Sequence, residues 1–344
     1  MLRAPSAFQR GYEAARPSNP ELADRYMAHM TLGDPPADRA VADLSDLDQH
    51  RIQRYIRAMM DQDHAGSRTA PRALREFFDE VEPFPEWYRT LPVQPGCRAF
   101  FRYSDLFVLA FATSTIIRGL GTTISLSFME TGRVLDIGRR RLRQNIRHLV
   151  EIMIPGGLER HGDGWKLCVR IRLVHAQVRK LLAESGDWDS AAHGLPISAS
   201  HVALSSAAFS AMLLEDAIRL GARMDDAERA SFMHVWRCSS WLMGVPDALL
   251  FRDEADAHEL LRVGLDCEPA VGPESIVMAH SFINSVPHII GLEGKDRQRR
   301  MAGFLFRLSR RMIGGRLADE LKFPRKASTG AIALVRLRRR CQKL

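Results

Sequence analysis

One histidine stands where chemistry is easiest to place. In the run from Gly164 to Leu181, the apolar residues Leu167, Ile171, Val174, Val178 and Leu181 recur at helical spacing. His175 follows Ile171 by four positions and precedes Val178 by three, so its ring is expected along that buried stripe. A buried imidazole needs a partner, because leaving it unpaired costs about 1–3 kcal/mol. A backbone carbonyl, a carboxylate or a metal would each serve. Arg172 and Arg179 lie three before and four after His175, on the same helix face. Two guanidiniums there suit a ligand with carboxylates, such as haem propionates, although side chains of this length also reach solvent readily.

Other chemistries lack their residues. There is no His-Glu-x-x-His zinc helix and no Gly-x-Ser-x-Gly elbow. Gly119-Leu120-Gly121 has no third glycine and follows an apolar helical stretch rather than a strand. No Glu-x-x-His occurs, which removes the usual ligand pattern of a di-iron bundle. Cys97, Cys168, Cys238, Cys267 and Cys341 are scattered without Cys-x-x-Cys spacing, which argues against zinc and for a reducing compartment. An all-helical body without those ligands leaves haem among the few redox cofactors it still accommodates.

The elements that must position these residues are helices. Helical periodicity covers 38–62, 73–82, 104–129, 134–153, 164–185, 198–221, 225–243, 253–265, 275–291 and 298–321, and strand-like alternation is scarce. The expected fold is all-α, a helical bundle. Breakers fall at Pro155-Gly156-Gly157, from Gly186 to Pro196, and at Gly244-Val245-Pro246. Residues 1–66 are polar and punctuated by Pro17, Pro20, Pro35 and Pro36, so they read as a helical extension wrapped on a main body of 67–344. The apolar stretch from Leu106 to Phe128 is interrupted by Arg118 and reads as a core helix rather than a membrane span, which needs roughly 20 apolar residues.

Charge is uneven. Residues 291–344 carry 16 Lys and Arg against 4 Asp and Glu, so this end is +12 in a chain of net +8 and the remainder is −4. Such an end faces nucleic acid, an anionic membrane surface or, most often, only water. The first 26 residues have no apolar core of a secretory signal, so the expected location is cytoplasmic.

The run RIRLVHAQVRKLL, preceded by IMIPGGLERHGDGW and followed by PISASHVALSSAAFS and MHVWRCSSWLMGVPDALL, resembles the latex-clearing protein (rubber oxygenase) and MpaB-type oxygenase family across roughly residues 85–320. The resemblance implies a globin-like helical core that binds haem b, with His175 as the proximal iron ligand. It sets Arg141 and Asn145, one turn apart, at the arginine and threonine that rubber-cleaving members hold over the distal haem face. Both side chains donate hydrogen bonds, as bound dioxygen requires. The surrounding Arg139, Arg140, Arg143 and Arg147 leave a solvent-facing basic helix as the plain alternative. Gln144 replaces a lysine that caps the iron, and Ser125 falls at the catalytic glutamate, with Glu130 five residues on. A serine is no substitute for a carboxylate base.

The function these residues imply is a haem b-dependent oxygenase acting on a small apolar, isoprenoid-like substrate with dioxygen. Arg141 and Asn145 would be catalytic and Arg172 and Arg179 would hold the cofactor. The alternatives are a haem-binding or sensing protein without turnover, and a basic helical binder of nucleic acid or membrane. With haem bound, no nucleic acid is expected, and the basic C-terminus offers peripheral membrane contact. The reading requires a flat cavity of porphyrin size beside His175. His234 is expected in core packing with one hydrogen bond, and His201 near a helix N-terminus.

Overall fold

Short polar side chains mark where helices begin. The computed structural model describes all residues except 1–3, 131–133, 161, 326–329 and 342–344, and all side chains except those and 64, 128–130, 134–141 and 340. Asp34 caps α1 (Pro35–Leu44), accepting a hydrogen bond from Ala37 N at 3.3 Å ahead of two prolines. Two long helices follow, α2 (Val134–Met153) and α3 (Asp163–Glu184). Ser198 caps α4 (199–220), in which a π-helical segment spans Ala208–Met212. Asp225 and Glu228 form a reciprocal capping box at α5 (Asp226–Leu242), and Asp253 caps α6 (Glu254–Cys267). The chain continues through α7 (Pro273–Ile289) and α8 (Lys295–Ile313) to α9 (Ala331–Cys341). No strand occurs among the described residues, so the all-α expectation holds.

Three expected helices are broken, each for a local reason. The stretch 38–62 divides because Asp48 caps a new helix, Gln49–Asp61, by accepting from Arg51 N at 3.0 Å. The stretch 104–129 divides near Gly119 and Gly121, where the Thr122 hydroxyl donates to Gly119 O at 2.7 Å and a helix restarts at Ile124. Gly314, at φ 89°, ends α8 before the short helix Gly315–Glu320. Arg118, the charge inside the apolar stretch, donates to Met312 O at 2.9 Å at the end of α8. Around it Leu106, Phe107, Phe111, Ile117 and Leu120 are core residues. No single helix among the described residues is long and apolar enough to cross a membrane; Gln94–Arg102 with Ser104–Leu120 passes only jointly, bent by 80°.

The turn between α2 and α3 is built from glycines because backbone lies against backbone there. A Cβ on Gly164 would stand 2.7 Å from both Glu151 O and Gly157 O, and one on Gly162 would stand 2.3 Å from Gly157 O. Trp165 N donates to Gly157 O at 2.8 Å, which fixes where α3 starts. The two helices run antiparallel, and the His148 ring of α2 meets Cys168 of α3 at 3.3 Å. Seven residues back along α2 from His148 is position 141, and seven forward along α3 from Cys168 is His175. Equal rise per residue sets these two positions level.

The N-terminal residues pack on this body. Tyr12, Tyr26, Met27 and Met30 are fully buried. Tyr12 and Arg16 both bind Asp24, at 2.5 and 2.8 Å, and Gly11 lies so near Cys267 O that a Cβ would stand 2.3 Å from it.

Candidate haem site

The buried face of α3 is not the expected stripe. Trp165, Cys168, Val169, Leu173, Ala176, Arg179 and Leu182 point inward, while Val174 is 50% exposed and Leu181 60%. The reason is electrostatic. Asp34 and Asp38 at the start of α1 neutralise Arg172 and Arg179, so the arginine face turns inward with its charges paired. Arg172 donates to Asp34 through Nε at 2.5 Å and through a terminal nitrogen at 2.8 Å. Arg179 donates to Asp38 at 2.9 Å and to Ile197 O at 2.5 Å. Neither arginine extends into solvent.

His175 therefore stands on the shoulder of α3, half-buried between these two braced guanidiniums. On one flank is a cavity of about 10 Å³, room for roughly one water, lined by Asp34, Arg179, Ile197, Val202, Met243 and Gly244 with His175 itself. A porphyrin does not enter this small cavity, and the side chains of 128–130 and 134–141 on the neighbouring segment lie outside the described residues. On the other flank, Ile171 and Val178 are half-buried and Val174 and Leu181 lie open. An imidazole beside an uncovered apolar shoulder supplies a nitrogen donor and a surface for a flat apolar group, so on this side the residues present fit a haem in kind.

Beneath His175 lies a polar triangle that periodicity did not reveal. His148 Nε2 is 3.3 Å from Cys168 Sγ and 3.2 Å from Ser239 Oγ, and Cys168 and Ser239 are 3.3 Å apart. Burial, and then the charge of nearby His175, pushes the His148 imidazole down to about 4. Burial pushes the Cys168 thiol up to about 12. Both are neutral at physiological pH, so the triangle adds no charge under the site.

On α2, Asn145 is half-buried, whereas Gln144, Arg143 and Arg147 are exposed. Arg141 lies on the same helix four residues earlier, but its side chain, like that of Glu130, lies outside the described residues. Ser125 is fully buried; its hydroxyl donates to Thr122 O at 2.8 Å and lies 3.0 Å from Ser275 Oγ. Near it is a buried carboxylate that sequence reasoning missed. Glu268 accepts from Thr123 N at 2.9 Å and Thr123 Oγ1 at 2.8 Å, and lies 3.1 Å from His201 Nε2. His201 sits in the first turn of α4, where its N–H meets the Ser198 cap, and His234 packs in the core against Tyr88 O at 2.9 Å, both as expected. No group of three His, Cys, Asp or Glu able to hold a bare metal ion occurs among the described residues.

The arrangement is thus an imidazole on a braced helix, facing a second helix across a glycine-built turn. Residues 107–342 match the family described as ER-bound oxygenase mpaB/B'/Rubber oxygenase, catalytic domain. The chain belongs to this oxygenase family. A rubber oxygenase of Streptomyces sp. (strain K30) is 25% identical over 186 residues, 52% of this chain and 44% of that relative, so the match spans less than half of its length. The solved structure of latex clearing protein LCP in the closed state superposes with a TM-score of 0.72 at 20% identity, covering 90% of this chain and 84% of the other. At that identity the superposition speaks for the fold. Asp34 and Asp38 precede the segment that matches the oxygenase family, so part of what braces His175 lies outside it.

Proposed function

We propose that this chain is a haem b-dependent oxygenase acting on a small apolar, isoprenoid-like substrate, with iron on His175. The family membership supports an oxygenase. The observation that carries the haem assignment is His175 itself, held on α3 between two ion-paired arginines, beside an open apolar shoulder, and level with position 141 of α2. When bound, haem supplies the dioxygen chemistry, and the protein supplies orientation and hydrogen bonds. The His175 ring nitrogen holds the iron. The Asn145 amide, half-buried on α2, would donate a hydrogen bond to bound dioxygen; for Arg141 the same part rests on the family resemblance alone. Val174, Ile171 and Val178 offer the apolar surface against which the flat group would lie. Arg172 and Arg179, read from sequence as propionate ligands, act here first as the brace of α3, because carboxylates of α1 already engage both.

The test is an absorption spectrum after haem supplementation. Wild type is expected to show a Soret band that His175→Ala loses or shifts; a wild type without the band sinks the reading.

A second reading, a haem-binding protein without turnover, is favoured by Ser125. The resemblance sets this residue at the glutamate position, and its hydroxyl is consumed in packing between Thr122 and Ser275. Steady oxygen uptake with a reductant and an alkene separates the two, since only the oxygenase consumes oxygen continuously. Peripheral membrane contact is supported by α9, where Leu334 and Leu337 are 56% and 58% exposed beside exposed Arg336 and Arg338.

A further inference from the structure

We propose that Asp34 and Asp38, at the start of α1, are positioning residues for His175, so that the N-terminal segment completes the site that the family-matched segment carries. The inference rests on the haem reading above and extends it to residues far away in sequence. Arg172 and Arg179 stand one turn before and after His175; Arg179 is buried and the Arg172 side chain is 12% exposed, and each has its carboxylate supplied by α1. The space for these pairs is made by glycine. A Cβ on Gly33 would stand 2.6 Å from Arg179 Nε and 2.7 Å from Asp38 Oδ2, and one on Gly244 would stand 2.3 Å from Asp34 Oδ2 and 2.7 Å from Arg172 Nε. Gly244 is also in the left-handed region, at φ 84°.

A third feature joins the same brace. Ile197 is held at φ 48°, a conformation a β-branched residue rarely takes. Its carbonyl accepts from Arg179 at 2.5 Å, and it lines the small cavity beside His175. Asp38 holds Arg179, Arg179 holds the strained Ile197 turn, and that turn closes against the imidazole. Asp34 and Asp38 are linked in turn, because Asp34 N donates to Asp38 Oδ2 at 3.0 Å. Two ion pairs one turn either side of a ligand fix both the rotation of α3 and its height, which together set where the ring nitrogen points. Groups that orient a metal ligand in this way typically change metal affinity about 10–100-fold when removed.

The experiment uses the full chain, wild type and the variants Asp34→Asn and Asp38→Asn, with Asp38→Glu as the conservative rescue. Asparagine keeps the capping shape at position 34 and removes the charge. Asp319→Asn, which breaks an ion pair with Arg310 elsewhere in the fold, serves as the control. Two quantities are read on protein loaded with hemin: the rate of haem transfer to apomyoglobin, and the Soret and electron-spin-resonance spectra. Hydrogen exchange over residues 170–180 is read on haem-free protein.

Asp34→Asn and Asp38→Asn are expected to release haem at least about tenfold faster, with altered spectra and at least tenfold less protection over 170–180. Asp38→Glu should recover part of this, and Asp319→Asn should change none of it. Unchanged release and spectra in both variants, even with a lowered Tm, would overturn the proposal. If wild type takes up no haem, the haem reading fails by itself, and the exchange data still decide the brace: unchanged protection over 170–180 rejects it.

Discussion

At the scale of single residues, neutrality governs the site. His148 is buried beside Cys168 and Ser239, and its folded value of about 4 lies below the ordinary 6.5. Between those two values the unfolded chain takes up a proton that the folded chain refuses. Stability from this group is therefore complete above about pH 6.5 and declines as pH falls toward 4, by at most about 1.4 kcal/mol per pH unit. In haem-free protein His148→Gln is expected to lower Tm at pH 7 through lost packing, and the gap from wild type should narrow as the buffer is brought to pH 4. A gap that stays constant over that range would show that the imidazole is not held neutral.

Among elements, the pairing of α2 with α3 decides which residues can meet. Its register follows from the glycines of the connecting turn, where Gly164 lies against Glu151 O and Gly157 O with no room for a Cβ. Gly164→Ala forces backbone apart at the base of the hairpin and is expected to cost about 1–3 kcal/mol, in the range of overpacked sites. The displacement propagates along both helices, so the variant should also retain less haem than wild type at equal folded fraction. Denaturant unfolding monitored by far-UV dichroism, beside haem titration of the folded protein, measures both; a variant with wild-type midpoint and haem affinity would remove the register argument. Gly119→Ala is the contrasting control, because a Cβ there meets nothing within 4 Å.

For the molecule as a whole, charge separates the ends. The basic C-terminal segment folds back through α9, where Arg336 donates to Arg219 O at 3.0 Å and Arg339 pairs with Asp105 at 2.7 Å. These tethers leave Leu334 and Leu337 facing outward among arginines. Co-sedimentation with vesicles containing phosphatidylserine is expected, weakening from low salt to 0.5 M because exposed charges are screened over a few ångströms at such ionic strength. The double substitution Leu334→Ser, Leu337→Ser should abolish it at all salt concentrations. Equal binding to neutral phosphatidylcholine vesicles, or equal binding by the double variant, would count against a charged apolar contact. Salt-sensitive binding of DNA or RNA in place of vesicles would assign the basic end to nucleic acid instead.

By itself the sequence determined the helical class, most helix starts and stops, and the singling-out of His175. These depend on information local to a turn or two: caps such as Asp225 with Glu228, breakers such as Gly244, and periodic apolar side chains. Local information erred on which face of α3 is buried. The apolar stripe predicted burial for Val174 and Leu181, but what turns a helix is the partner it meets. Here the partner was a pair of carboxylates 138 and 141 residues away, which made it favourable to bury Arg172 and Arg179. An Asp before two prolines announces a helix start and says nothing of the arginine it will hold. Long-range charge pairing, the strained Ile197 turn and the His148, Cys168 and Ser239 triangle exist only once α1, α2, α3 and α5 share one core, because each needs groups that the chain alone keeps apart.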